Sequence, residues 1–214
     1  MASDRYGAGT AGEAPDVIRW RLHATPCGVL RLGAFGGRLC LCDWADVPAR
    51  DFVVRRLERG LHVRFAPWPD DGSLSGSGPR GISAEPESNF PDNPDDADRC
   101  VLDRAVRQLD EYFAAQRRTF EIPLLTVGTP FQRAVWELLT EIPFGGTRSY
   151  AWLAAQLGHP RAVRAVAAAN RANALSIFIP CHRVVGSDGS LTGYAGGLAA
   201  KRLLLGLEQQ PLLR

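Results

Sequence analysis

Residues Ile179 to Gly189 form the run IPCHRVVGSDG, in which a cysteine, a histidine and an arginine stand side by side. The thiolate is the reactive form of cysteine, and a nearby histidine and arginine lower the pKa of a thiol. Cys181 is therefore a candidate nucleophile, with a lowered pKa and with His182 as its base. Side chains of adjacent residues diverge along the backbone, so a bridging water suits this pair better than a direct hydrogen bond.

A histidine base needs an acid on its second ring nitrogen, which fixes its orientation and stabilises its charged form. Glu208 is the only acidic residue after Asp188 and is the candidate for this role. If Cys181, His182 and Glu208 form one relay, Glu208→Gln is expected to slow the chemistry without large unfolding.

The other four cysteines lack such neighbours and are interpreted as small buried hydrophobic residues, namely Cys27, Cys40, Cys42 and Cys100. An odd total of five, together with a polar first segment that does not resemble a secretory signal, favours reduced thiols. His23 with Cys27, and Cys40 with Cys42, lack a second matching pair at zinc-ligand spacing. No metal site is therefore predicted.

The charge is distributed unevenly along the chain. Residues 129–214 carry nine Arg and Lys against four Asp and Glu, a net charge of +5, so the first 128 residues carry −3 of the total +2. A basic C-terminal part suits an anionic partner such as nucleic acid. Apolar stretches fall short of the ~20 residues that span a bilayer, so a cytoplasmic location is expected and a membrane partner is not.

Residues 16–127 are predicted to form a small α+β domain behind a disordered lead at 1–15. The prediction rests on the periodicity of apolar residues and on Gly and Pro at the ends of elements. In chain order the elements are two or three antiparallel strands within 17–44, a helix at 48–60, a long acidic loop at 66–98, a helix at 99–116 and a strand-like segment at 120–127.

Residues 128–214 are predicted to form a mostly helical second domain. Thr129 is the expected N-cap of its first helix, Ser149 starts the second, and Pro160 opens the third. The second and third helices, joined by a turn that contains Gly158, match a helix-turn-helix.

The third helix of this part has two possible interpretations. It carries Arg161, Arg164 and Arg171 on one face, with small alanines that would let a bulky polymer approach closely. An alanine-rich packing helix with a solvated arginine edge explains the same pattern equally well. The pattern alone leaves both interpretations open.

The run IPCHRVVGSDGSLTGYAGGLAAKRLLLGLE resembles the active-site segment of the O6-alkylguanine-DNA alkyltransferases, the methylated-DNA–protein-cysteine methyltransferases. SYAWLAAQLG, RAVRAVAAANRAN and GYAGG occur in that family's order and spacing. The resemblance is close over residues 128–209 and covers 17–127 only as the family's variable N-terminal domain. It implies single-turnover repair of O6-alkylguanine, and also of O4-alkylthymine, in double-stranded DNA by a monomer without cofactor, metal or obligate protein partner.

Carried onto this chain, the resemblance assigns Cys181 as the alkyl acceptor. It implies that His182 deprotonates Cys181 through a water and that Glu208 orients His182. Asn173 is implied to be a hinge residue that braces the active-site turn. The lesion is implied to be flipped out of the duplex before the thiolate attacks its alkyl carbon.

The resemblance also implies residues that contact the DNA and the flipped base. Arg164 fills the vacated stack, and Tyr150 crowds the phosphate beside the target and turns the nucleotide outward. The implied pocket consists of Tyr150, Val184, Tyr194, Ala195, Gly196 and Lys201. The implied DNA-contacting residues are Ser149, Tyr150, Arg161, Arg164, Ala165, Ala168, Ala169 and Arg171.

Three other functions are weighed against this one. A non-catalytic alkyltransferase-like protein that only binds lesions would lack the acceptor cysteine, and Cys181 is present. A helix-turn-helix regulator explains the arginine face but not the Pro-Cys-His-Arg-Val run. A thiol hydrolase would need a histidine distant in sequence that faces the cysteine. Methyl gain on Cys181 after incubation with O6-methylguanine DNA distinguishes all of them.

Overall fold

The computed structural model describes residues 17–68 and 94–209, with side chains omitted at 94–96. The predicted lead at 1–15 and most of the predicted loop at 66–98 lie outside the described residues. The described chain has an α+β fold, as predicted: a four-stranded sheet with helices, followed by a mostly helical part.

Three consecutive strands form the antiparallel meander expected within 17–44. They are β1 (Val17–Thr25), β2 (Gly28–Phe35) and β3 (Arg38–Trp44). Gly36 and Gly37 both have positive φ, which suits the two-residue turn between β2 and β3.

A fourth strand was not predicted. The strand β4 (Arg64–Pro67) runs parallel to β1 and gives the sheet the order β3-β2-β1-β4. The sheet is therefore mixed rather than purely antiparallel. With four residues and a terminal proline, β4 has too little alternation to identify it from the sequence, and it overlaps the start of the predicted loop.

The two helices of the N-terminal part lie close to their predicted positions. After a 3₁₀ turn at Pro48–Arg50, α1 covers Asp51–Leu61. The next helix, α2 (Pro94–Phe113), begins five residues before the predicted start, so the end of the predicted acidic loop is helical. Segment 120–127 is extended but bridges the sheet only through Leu39 and Leu124, partly because Pro123 has no N–H to donate.

The C-terminal part contains the three expected helices, which are α3 (Pro130–Thr140), α4 (Tyr150–Gln156) and α5 (Val163–Arg171). A fourth helix, α6 (Gly197–Leu207), was not individually predicted. A capping box between Thr129 and Gln132 starts α3. The prediction that Pro160 opens α5 is wrong, because residues 160–162 form a turn and α5 starts at Val163.

Two short strands, β5 (Arg148–Ser149) and β6 (Val184–Val185), pair in parallel in the C-terminal part. They bring the start of α4 next to the segment that follows Cys181. None of the described helices is long and apolar enough to cross a membrane.

One hydrophobic core runs through both parts of the chain. It includes Leu32 of the sheet, Tyr112 of α2, Trp136 of α3 and the acceptor candidate Cys181. A smaller core lies between α1 and the sheet. The domain boundary between residues 127 and 128 stays a prediction. The main hydrophobic core contains residues from both sides of it.

Two of the four cysteines interpreted as buried are not. Cys40 and Cys42 are buried as expected, whereas Cys27 is half-buried and Cys100 is exposed. Cys100 lies near the start of α2, on the side of the helix that faces away from the core. The residue type alone did not indicate which side of the helix the cysteine would occupy.

Candidate active site

Cys181 lies in a short 3₁₀ turn, Cys181–Arg183, at the end of a buried segment. Asn173 holds this segment in place: its Nδ2 donates to the carbonyl of Ile179 at 2.9 Å, and its Oδ1 accepts from the amide of Leu175 at 3.0 Å. Ile177 between them has φ of +74°, which is unfavourable for a β-branched residue. The hydrogen bonds of Asn173 stabilise this strained turn.

The thiol of Cys181 does not have the lowered pKa that the sequence suggested. Cys181 is 3% exposed, and burial raises the pKa of its thiol. A hydrogen bond with Asn173 and the charges of Arg50 and Lys201 act in the opposite direction without reversing the shift. The resting thiol is therefore protonated, and a base must remove its proton when it reacts.

His182 is completely buried beside this thiol, and its Nε2 lies 2.9 Å from Oε1 of Glu208. Burial lowers the pKa of His182, so the ring is neutral at physiological pH. Because the carboxylate can only accept, Nε2 carries the proton of the neutral ring and Nδ1 has the free lone pair. Nδ1 has no hydrogen-bond partner among the described residues and is the basic atom of the site.

The carboxylate of Glu208, which caps α6, is surrounded by donors. Oε1 accepts from His182, from the hydroxyl of Tyr112 at 2.9 Å and from Nη2 of Arg183 at 2.9 Å. Oε2 accepts from Nε of Arg183 at 2.9 Å and from the amide of Gly145 at 3.1 Å. Burial opposes ionisation, but the hydrogen bonds and charges of His182 and Arg183 outweigh it and lower the pKa of Glu208 to about 2.

The structure thus brings together Cys181, His182, Glu208 and Asn173 as the sequence predicted, and it adds Tyr112 to the network. Tyr112 lies on α2, where its position on an amphipathic helix indicates only a core residue. The sequence carries no signal that its hydroxyl reaches Glu208, 96 residues away.

A second contact that the sequence did not reveal joins the N-terminal part to Asn173. The buried Arg50 pairs with Asp43 at 2.7 Å, and its guanidinium also donates to the carbonyls of Arg171 and Asn173. The carbonyls at a helix C-terminus have no intrahelical partners and carry partial negative charge, so a cation there is favourable. Arg50 fixes the end of α5 against Asn173.

A cavity of about 530 Å³ opens beside Cys181. Its wall is built from the turn before α1, from the side of α5 that lies between its buried and its exposed faces, and from the loop between β6 and α6. Its lining residues are Val47, Ala49, Arg50, Tyr150, Val163, Arg164, Ala167, Asn170, Arg171, Asn173, Cys181, Thr192, Gly193, Tyr194 and Ala195. The volume lies within the range of small-molecule pockets.

The two tyrosines of the predicted pocket, Tyr150 and Tyr194, both line the cavity. The hydroxyl of Tyr150 accepts from Oγ1 of Thr192 at 3.3 Å. The ring of Tyr194 packs edge-on against Trp44, with ring centroids 5.0 Å apart, and its buried hydroxyl has no partner among the described residues. Ala195 also lines the cavity.

Three other residues of the predicted pocket support the cavity from behind. Lys201 is fully buried, and its Nζ donates to the carbonyls of Val184 at 2.6 Å and Thr192 at 3.1 Å. Lys201 and Val184 therefore fix the loop between β6 and α6 instead of facing the cavity. A Cβ on Gly196 would lie 2.2 Å from Cε2 of Trp44, so Gly196 admits that ring and is not part of the lining.

The outer face of α5 and the turn before it carry most of the residues predicted to contact DNA. Arg164, Ala165, Ala168 and Arg171 are exposed on α5. Arg161 is also exposed, but it lies in the turn before α5 and not on the helix as predicted. Ala169 is an exception: it is 3% exposed and packs in the core, and its carbonyl accepts from Nε1 of Trp136 at 2.9 Å. The prediction that Ala169 contacts DNA is therefore wrong. Ser149 caps α4 through a 3.1 Å hydrogen bond from the amide of Trp152.

Comparison with known proteins identifies this architecture. Residues 130–210 match the sequence profile of the family described as 6-O-methylguanine DNA methyltransferase, DNA binding domain. The methylated-DNA–protein-cysteine methyltransferase of Mycobacterium tuberculosis H37Rv is 51% identical over 194 residues, which cover 90% of this chain and 93% of that protein. This chain therefore belongs to the methylated-DNA–protein-cysteine methyltransferase family.

Other relatives agree with this assignment. The constitutive methylated-DNA–protein-cysteine methyltransferase of Bacillus subtilis is 54% identical over 109 residues, covering 50% of this chain and 66% of that protein. The crystal structure of M. tuberculosis OGT in complex with DNA superposes with a TM-score of 0.65 and 34% identity, over 90% of this chain and 93% of that chain.

Proposed function

We propose that this protein repairs DNA by transferring the alkyl group of O6-alkylguanine to its own Cys181, once per molecule. The observation that carries the proposal is the position of Cys181 at a cavity whose rim includes Arg164 and Arg171 of the exposed α5 face. His182, the next residue in the chain, is buried and pairs with Glu208. A lesion flipped out of the duplex reaches the thiol through this cavity.

The chemistry follows from the state of the site. Nδ1 of His182 takes the thiol proton through a water, and Glu208 stabilises the imidazolium that forms. The thiolate attacks the alkyl carbon, so an S–C bond forms as the bond from that carbon to O6 breaks. The proton returns to the departing base, which leaves as unmodified guanine. The thioether on Cys181 is chemically stable, which limits each molecule to one transfer.

The DNA-contacting residues are part of the same proposal. Arg164, at the mouth of the cavity, fills the space that the flipped base leaves, and Tyr150 helps to turn the nucleotide outward. The basic, alanine-rich face of α5 lies against the duplex, which makes double-stranded DNA the partner. We infer that a monomer acts in the cytoplasm and needs no cofactor, and that O4-alkylthymine is a second substrate.

The decisive experiment is intact-mass analysis after incubation with duplex DNA that contains O6-methylguanine. The wild type gains one methyl group, and peptide mapping places it on Cys181. Cys181→Ala gains nothing yet still binds the duplex, since the arginines on α5 remain. Cys100→Ala, which removes an exposed thiol, serves as the matched control and reacts like the wild type. Methyl gain in Cys181→Ala would refute the acceptor assignment.

The same experiment separates the competing functions. Binding of the lesion without any mass gain in the wild type would indicate a non-catalytic alkyltransferase-like protein. Binding of duplexes with and without the lesion at equal affinity, again without mass gain, would indicate a helix-turn-helix regulator.

A further inference from the structure

Tyr112 is a buried tyrosine of α2 that contacts the proposed relay but has no step in it. It is 1% exposed, and its hydroxyl donates to Oε1 of Glu208 at 2.9 Å. The same oxygen accepts from Nε2 of His182 at 2.9 Å and from Nη2 of Arg183 at 2.9 Å. A carboxylate oxygen offers about two lone-pair sites, so the three donors compete for Oε1.

The crowding is confined to the oxygen that His182 uses. The other oxygen, Oε2, accepts from Nε of Arg183 at 2.9 Å and from the amide of Gly145 at 3.1 Å, which matches its lone-pair capacity. Arg183 thus holds both oxygens through its planar guanidinium, a geometry that fixes a carboxylate well. Arg183 and Gly145 orient the carboxylate, and the hydroxyl of Tyr112 is an additional donor on the side of His182.

The additional donor weakens the support that Glu208 gives to a charged histidine. Burial and the adjacent carboxylate raise the pKa of Tyr112, so its hydroxyl stays protonated and can only donate to Glu208. A donor that stabilises a carboxylate makes it less basic. When Nδ1 of His182 takes the thiol proton, the positive ring is stabilised by this carboxylate. The hydroxyl of Tyr112 therefore makes that proton transfer less favourable.

Building on the proposed function, we propose that Tyr112 is a positioning residue that restrains the acceptor thiol, because its hydroxyl shares with His182 the carboxylate oxygen that supports the imidazolium. The same hydrogen bond stabilises the folded protein and slows the reaction of Cys181. Such a restraint suits a thiol that is consumed in one transfer, since it limits reaction with other electrophiles.

Other groups around His182 also act on its charge. The charged and titratable ones are Glu208 and Lys201 of α6, Cys181 and Arg183 of the same turn, and Tyr194, whose ring centroid lies 6.4 Å from that of His182. Arg183 and Lys201 disfavour a positive ring because they are cations. All of these groups remain when only the hydroxyl of Tyr112 is removed, so a changed pH dependence reports on that hydroxyl.

The test is the pH dependence of Cys181 alkylation by iodoacetamide, followed by peptide mapping, in the wild type and in Tyr112→Phe. The pKa of Cys181 is raised and that of His182 is lowered, so the neutral pair prevails between them and the small fraction of thiolate with imidazolium sets the rate. Removing the hydroxyl enlarges that fraction. We expect alkylation about threefold faster near neutral pH, and an acid limb of the profile about half a pH unit higher.

The matched control is Gln108→Met, one turn before Tyr112 on α2. Gln108 is 2% exposed, and its Oε1 accepts from the amide of Glu121 at 2.9 Å. The variant removes a buried hydrogen bond of the same helix away from Glu208, so it should lower stability and leave the pH profile unchanged.

The opposite change is Tyr112→3-fluorotyrosine, introduced at this position alone. The fluorine makes the hydroxyl a stronger donor, so alkylation near neutral pH should be slower and the acid limb should move to lower pH. A phenol that only fills space in the core would show neither shift.

The proposal is overturned if the Tyr112→Phe profile is unchanged, slower near neutral pH, or moved to lower pH. A hydroxyl that only supports the fold, or that assists the relay, gives one of these results. If Tyr112→Phe does not fold, the fluorinated protein decides the matter, and an unchanged or faster rate overturns the proposal. Failure of the proposed function is a separate outcome: it would appear as absence of methyl transfer from O6-methylguanine, which the iodoacetamide measurement does not require.

Discussion

Replacing Glu208 by glutamine tests how far the site and the fold depend on one charge. The carboxylate accepts hydrogen bonds from Tyr112, His182, Arg183 and the amide of Gly145. A glutamine can place its oxygen toward only some of these donors, and its NH₂ group then faces the others. The buried guanidinium of Arg183, with 8% of its side chain exposed, loses its only ion-pair partner in the described chain.

The size of the effect follows from the ion pair and from the pKa of Glu208. Removing one partner of a buried ion pair typically costs about 3 to 5 kcal/mol. Independently, the fall in the pKa of Glu208 from its ordinary 4.5 to about 2 corresponds to about 3 kcal/mol of folding free energy. Glu208→Gln should therefore lower the free energy of unfolding by about 3 kcal/mol. The sequence-based expectation of slower chemistry without large unfolding is replaced by this one.

The pH dependence provides a second readout. Because the folded pKa of Glu208 is depressed, its stabilisation is fully present above pH 4.5 and is lost as the pH falls toward 2. The burial that lowers the pKa of His182 acts in the same direction at somewhat higher pH, since unfolding lets that ring take up a proton. Glu208→Gln removes the first contribution, so its unfolding free energy should change less between pH 4.5 and 2.

Urea unfolding followed by tryptophan fluorescence measures both effects. Glu137→Gln is the matched control, because Glu137 is exposed on α3 and the same change there should shift stability by less than about 0.5 kcal/mol. The reasoning is refuted if Glu208→Gln unfolds within 1 kcal/mol of the wild type at pH 7 with an unchanged acid profile, a threshold set at about a third of the expected loss.

Two further changes test other parts of the site. Arg164→Ala should slow repair of duplex DNA by at least about tenfold but leave the reaction with free O6-benzylguanine nearly unchanged. The reason is that only the duplex loses stacking when its base is flipped, a loss of a few kcal/mol. Single-turnover rates on both substrates check this, and equal losses would contradict it. Tyr112→Phe removes one hydrogen bond to the ionised Glu208 and keeps the ring in the core. It should lower the free energy of unfolding by about 1.5 kcal/mol, and an unchanged urea midpoint would show that this bond contributes nothing.

That Cys181, His182 and Glu208 belong to one site could be predicted because their residue types and order are distinctive. The structure places His182 and Glu208 in contact, and the chemical roles assigned to the three residues stay a prediction. The helix-turn-helix could also be predicted from the sequence, since Ser149 and Gly158 mark the limits of α4. The sequence could not give the pKa of the thiol, because burial depends on the whole fold and here outweighs the nearby charges.

What the sequence did not reveal are contacts between distant segments. Tyr112 and Arg50 belong to elements whose pattern indicates only packing, and their hydrogen bonds depend on how the sheet and α2 meet the C-terminal helices. Ala169 shows the same limit on a single helix. Ala165 and Ala168 are exposed, whereas Ala169, within one turn of the same helix, is buried in the core. An alanine in the sequence does not indicate which side of the helix it occupies.

The contact of Arg50 with Asn173 spans 123 residues, and that of Tyr112 with Glu208 spans 96. During synthesis the reactive centre therefore stays incomplete until residue 208 has been made and both halves have docked. Contacts so distant in sequence also form late, because loop closure comes before any gain from the contact. A nascent or truncated chain that ends before residue 208 lacks the carboxylate that pairs with His182. If that carboxylate supports the base as proposed, an incomplete chain cannot use up its single acceptor thiol.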